Sequence, residues 1–124
     1  MKALHTKSAL AAIGPYSQAI EVNGFVFASG QIPIDPATGE FVEGGIKEQT
    51  RQALTNAAHI MAEAGIDLSH VVKTTVFLAD MADFAAMNEV YSTFFKEPFP
   101  ARSAVAVKAL PKGALVEVEC VGAK

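Results

Sequence analysis

Tryptophan is absent from the 124 residues and cysteine occurs once, at Cys120. A single thiol excludes an internal disulfide, and its place in an apolar stretch reads as a buried small hydrophobe, so a reducing, cytoplasmic setting is the expectation. Histidine is thin as well: His5, His59 and His70 are scattered, with no His-Glu-x-x-His and no Cys-x-x-Cys. A phosphate-binding glycine loop and a dinucleotide fingerprint are both missing, and Ser29-Gly30-Gln31 lacks the Gly-x-Ser-x-Gly frame of a nucleophile elbow. Neither a metal nor an organic cofactor is therefore expected. Basic charge is also short, 10 Lys and Arg against 13 Asp and Glu for a net charge of −3, which argues against a nucleic-acid partner. No apolar run reaches the ~20 residues of a membrane span, and residues 1–7 lack the apolar core of a signal peptide, so a soluble protein with no membrane partner is expected. Repeats, low-complexity tracts and charge blocks are lacking too. Residues 1–124 thus read as a single domain, long enough to bury roughly two-thirds of its unfolded surface.

What the chain has in quantity is apolar residues, 51% of the total, and they fall into periods. Ala19 to Val22 and Phe25 to Ala28 flank Asn23-Gly24, a pair suited to a type I′ turn with positive φ twice, which predicts a hairpin. Asp35-Pro36-Ala37-Thr38-Gly39 reads as a plain turn. From about Ile46 to Ala64, Ala53, Leu54, Ala57, Ala58 and Met61 recur at three- and four-residue spacing, predicting an amphipathic helix closed by Gly65. Val71 to Leu78 is a nearly continuous apolar and β-branched run of the kind buried on both faces. Asp80 suits the cap of a second helix bearing Phe84, Met87, Tyr91, Phe94 and Phe95, which Pro98 and Pro100 end. Residues 100–121 read as two strands joined by a turn at Pro111-Lys112-Gly113. The whole predicts an α+β fold, a mixed sheet of about six strands with two helices on one face. The other face then needs cover, and the simplest cover is another copy of the chain.

Side chains alternate along a strand, so Glu117 and Glu119 share one face while Val116, Val118 and Cys120 share the other. Arg102 stands at the mouth of the strand before them. Two readings fit. The charges are a solvated surface group worth about 0–1 kcal/mol, or Arg102 presents its planar fork to a substrate carboxylate while Glu117 handles a proton or a water. Periodicity does not choose between them. Read alone, Tyr16 after Gly14-Pro15 is a core tyrosine with a satisfied hydroxyl, Asn88 a solvated helix residue, and His59 a surface or core histidine.

Several blocks add a resemblance. Pro100-Ala101-Arg102-Ser103, Leu110-Pro111-Lys112 and the Val-Glu-Val-Glu run resemble the signature of the Rid family, the RidA-type enamine and imine deaminases. Ile13-Gly14-Pro15-Tyr16-Ser17-Gln18-Ala19, Ala28-Ser29-Gly30-Gln31-Ile32-Pro33 and residues 72–78 look like family blocks in family order, so the likeness spans nearly the whole chain. It implies a chorismate-mutase-like fold, a homotrimer with a pocket at each interface, and hydrolysis of 2-aminoacrylate-type enamines and their imines to 2-keto acids and ammonia without a cofactor. It further implies Arg102 and Glu117 as catalytic residues, with Tyr16, Ser29, Gly30, Asn88 and Arg102 binding the substrate. One position departs from many deaminating relatives: Ala104 stands where they carry cysteine. Outside this reading stand a carboxylate-binding or chaperone-like trimer without catalysis, and a ribonuclease or translation inhibitor, which the acidic balance disfavours.

Overall fold

Asn23 at φ 51° and Gly24 at φ 80° make the turn their residue types favour, joining β2 (Ala19–Val22) to β3 (Phe25–Ala28). The computed structural model describes residues 1–124, and in it this hairpin becomes part of a larger sheet. β1 (Lys2–Leu4) pairs along β2, and the short ribbon of β4 (Ile34–Asp35) and β5 (Glu40–Phe41) closes over the Asp35 to Gly39 turn. Then come α1 (Ile46–Glu63), β6 (Val71–Leu78), α2 (Phe84–Tyr91), β7 (Ala101–Ala106) and β8 (Val116–Ala123). The main sheet has six strands in the order β1-β2-β3-β8-β6-β7, with β6 and β7 parallel across the α2 crossover and every other pair antiparallel.

α1 begins at Gly45, whose N–H is accepted by Glu48 Oε2 at 3.0 Å, and stops where Gly65 turns at φ 80°. Its stripe of Ala53, Leu54, Ala57, Ile60 and Met61 is fully buried against Val26, Val76, Leu78, Val116 and Val118 of the sheet. The alanines keep the helix close, and the larger side chains fill the gaps between strands. Asn56 is also fully buried in this helix; its amide donates to the carbonyls of Ile34 at 2.9 Å and Ile32 at 3.3 Å, tying the chain after β3 to the core.

The structure corrects three expectations. Residues 100–121 are not a strand pair: β6 lies between β7 and β8, because the helical crossover lays β7 along the outer side of β6. α2 ends at Tyr91, well before Pro98. Ser92 Oγ and Thr93 Oγ1 donate to the carbonyls of Glu89 and Val90 at 2.8 and 2.6 Å, competing with helical pairing and freeing Phe95 to turn into the core. In β6 only Thr74, Val76 and Leu78 of the alternating set are buried, while Thr75 and Phe77 stay half-exposed on the side without helices. That side continues through Ile20, Phe27 and Val121, which lie in one register row, and through Val105 opposite Phe77. Phe27 is 46% and Val105 44% exposed, an open apolar face.

Candidate functional site

Arg102 sits opposite Thr74 in the β6–β7 register, and Thr74 points into the helix layer, so Arg102 rises on the helix side of the sheet edge. There Nη1 donates to Asn88 Oδ1 of α2 at 2.7 Å. The guanidinium carbon lies 4.6 Å from the Tyr91 ring centroid and 5.4 Å from that of Phe84. Tyr91 is itself fixed, its hydroxyl sharing a 2.7 Å hydrogen bond with Thr74 Oγ1 and its ring packing on Phe95. Burial pushes the Tyr91 phenol up, against the opposing pull of Thr74 and of the Arg102 cation, so it stays a neutral ring beneath the charge. No carboxylate pairs with Arg102. A half-buried cation is thus held by one neutral amide and two aromatic faces, with donors left over, beside a cavity of about 410 Å³ lined by Asn88, Tyr91, Ser92, Phe99, Pro100 and Arg102. Ala104 follows on the same side and packs against the core.

Glu117 lies opposite Phe77, three residues from Thr74 along β6, and so projects from the other face. One chain therefore does not bring Arg102 and Glu117 together. Around Glu117 a second set of residues gathers. Gln31 bridges Val118 in both directions, its N–H donating at 2.8 Å and its carbonyl accepting at 3.0 Å, and this lays Gly30 against the Glu117 side chain. A Cβ on Gly30 would stand 2.6 Å from Glu117 Oε1, so the position is open only to glycine while the carboxylate keeps this place. Burial first, and the charge of Glu119 second, hold the Glu117 carboxyl above the usual carboxylate range. Its oxygens accept no hydrogen bond that would offset this. Tyr16, 52% exposed rather than a core residue, lines the same cavity of about 330 Å³ with Gly30, Ile13 and Glu117.

Ser29 contributes differently from expectation. Its hydroxyl donates to the Ser17 carbonyl at 2.6 Å and its N–H to that of Gln18 at 2.9 Å, so it fastens the segment bearing Tyr16 and does not line the cavity. Buried Gln18 completes the fastening, donating to the carbonyls of Leu10 and Thr6 and accepting from Thr6 N–H. The sequence reading missed Tyr91, Phe84 and Gln18 as supports. The signal for the first two was their i, i+4 and i, i+3 spacing to Asn88 on α2, which puts aromatic faces beside the amide. Cys120 is buried with its thiol pushed up to about 12, the inert hydrophobe expected. His59 is a surface residue whose Nδ1 lies 2.6 Å from the Ser8 carbonyl.

Comparison with known proteins agrees along the full length. A family profile described as Endoribonuclease L-PSP matches residues 6–124. A mouse protein named 2-iminobutanoate/2-iminopropanoate deaminase is 50% identical over 120 residues, covering 97% of this chain and 89% of its own. Among solved structures, YyfA of the Rid protein family from Yersinia pestis superposes with a TM-score of 0.96 at 49% identity, covering 99% and 98% of the two chains. E. coli TdcF, solved with bound serine, gives 0.94 at 41% identity, covering 100% and 99%.

Proposed function

The chain belongs to the Rid family, matched under the description Endoribonuclease L-PSP, and from that premise we propose that it hydrolyses 2-imino acids, and the 2-aminoacrylate-type enamines that tautomerise to them, to 2-keto acids and ammonia. The observation that carries this reading is the pair of incomplete cavities. One offers an unpaired guanidinium and no base, the other a base and no guanidinium. Two copies meeting edge to open face, as in a closed homotrimer, supply both to one cleft, and the open apolar face of Ile20, Phe27, Phe77 and Val105 supports such packing.

In that cleft the free donors of Arg102 bind the substrate carboxylate side by side, with Asn88 and the Tyr91 and Phe84 rings fixing the plane of the fork. Glu117 of the neighbouring copy takes a proton from water as its oxygen adds to the imine carbon, giving a carbinolamine. It returns that proton to the nitrogen, then takes the proton of the new hydroxyl and delivers it to the nitrogen too, so that the carbon–nitrogen bond breaks and ammonia leaves as the carbonyl forms. A carboxyl raised by burial suits both halves of this exchange near neutral pH, since it binds a proton more readily than an exposed glutamate and still releases it. Every step uses water and side chains alone, so no cofactor is needed, and a cysteine at position 104 has no part in it.

A binding protein for small amino or keto acids is the second reading, favoured by the bound serine of TdcF. Release of ammonia and keto acid from freshly generated 2-iminobutanoate, above the uncatalysed rate, separates the two. Subunit mixing tests the shared cleft. Arg102→Ala and Glu117→Gln are each expected to be strongly impaired, yet after unfolding and refolding together in equal amounts about one interface in four should regain an intact pair and lift turnover well above either parent. A mixture as inactive as its parents sinks the two-copy site while leaving turnover by the wild type to judge the reaction.

A further inference from the structure

Lys112 is unused by this chemistry. It stands at φ 57° and ψ 21° in the Pro111–Gly113 turn, one of two non-glycine residues with positive φ. The other, Asn23, has the short amide side chain that tolerates the left-handed region; a lysine has none, and glycine would occupy the place without strain. Strain of this kind on a solvent-facing turn points to the side chain as the reason for it. That side chain lines two cavities, the one holding Glu117 and an adjoining one of about 250 Å³ with Ile34, Phe41 and Glu40. It is the only cation lining either. No carboxylate reaches ion-pair distance of it. Lys112 is exposed while Glu117 is half-buried in the same cavity, so the lysine sits at the mouth, an unpaired cation visible to an arriving ion.

An anionic substrate approaching this cavity meets a protein of net charge −3 and a carboxylate at the bottom. A cation at the entrance offsets that repulsion during approach. We propose that Lys112 is a specificity-determining residue: its charge at the mouth of the Glu117 cavity selects carboxylate-bearing imines over neutral imines of the same size by raising their rate of capture. This rests on the hydrolytic reading above and adds to it the group that sorts substrates before they reach Arg102.

The test compares 2-iminopropanoate with the imine of its methyl ester at low and high salt. Two unit charges about 10 Å apart in water change an encounter about twofold, so kcat/KM for the acid should fall about twofold in Lys112→Gln and about fourfold in Lys112→Glu, with kcat held. In about 0.5 M salt the differences should close, because the screening length is then well below 10 Å. Lys112→Gly should lose the same preference while melting at a higher temperature, since it relieves the left-handed turn. Losses that are equal for acid and ester, losses that persist in salt, or an acid preference unchanged in all three variants overturn the proposal. If the wild type turns over neither compound, the hydrolytic reading fails instead. The same acid-to-ester ratio is then read from calorimetric binding of 2-ketobutanoate and its ester across the variants.

Discussion

Arg102 and Glu117 both lack an ion-pair partner, yet their surroundings treat charge in opposite ways. Arg102 is gripped by a neutral amide and two rings that leave its charge intact and its plane fixed. Glu117 is buried beside another acid, and both influences favour its protonated form. One region keeps a cation ready for an anion, the other keeps a carboxylate ready to take up a proton. Both residues are half-buried, so the contrast lies in what offsets burial: Arg102 has an amide and two rings around it, whereas burial and then Glu119 act on Glu117 unopposed. It teaches that a cation can be positioned without being neutralised when its partners are dipoles and π faces.

The sharpest way to break this contrast is to remove the proton acceptor. Glu117→Gln keeps shape but cannot take a proton from water, so single-turnover imine hydrolysis should fall by about 10²–10⁴-fold while keto-acid binding changes little. Glu119→Gln, exposed and two residues along the same face, should be far milder. Equal small losses would reduce both acids to sheet solvation. Next comes the grip on the cation. Arg102→Lys retains charge but neither the fork nor the flat stacking, and should lose about 10–10²-fold in kcat/KM, nearly as much as Arg102→Ala. A lysine variant as active as wild type would dispose of the side-by-side carboxylate contact.

The smallest expected effect is on stability. Because the folded-state pKa of Glu117 is raised, the native protein holds its proton more tightly than the unfolded chain, and stability declines as pH rises from the ordinary glutamate value of 4.5 through the folded pKa. Glu117→Gln removes that decline. Its melting temperature should exceed wild type at pH 7, and the excess should shrink toward pH 4. An excess independent of pH would mean the carboxylate is not held at a disadvantage.

Local features were legible because they depend on neighbours in sequence. Asn23-Gly24 turned as its residue types require, and α1 runs close to the predicted span, to Glu63 before Gly65. The family likeness and the α+β sheet with helices on one face were readable in the same way, from motif blocks and periods. What was hidden depends on partners distant in sequence. Nothing local says that β6 separates β7 from β8, so nothing local could say that Arg102 and Glu117 take opposite faces. The apolar run of β6 suggested burial on both sides, but alternation along one chain cannot reveal whether the second side is covered by the same molecule. Ser29 was placed at the cavity by the family resemblance alone; its bond to Ser17, twelve residues away, was out of reach of any pattern.

β8 carries Glu117, and it is also the strand that joins β3 on one side to β6 on the other. During synthesis it emerges from the ribosome after every strand it must join. The hairpin and the β6-α2-β7 crossover therefore wait as separate pieces, with Phe27 and the edge of β3 uncovered, until residues 116–123 arrive. Sheet completion and the placement of Glu117 are one event. A chain cut short before β8 has neither a continuous sheet nor Glu117, and keeps only the Arg102 side of the proposed cleft.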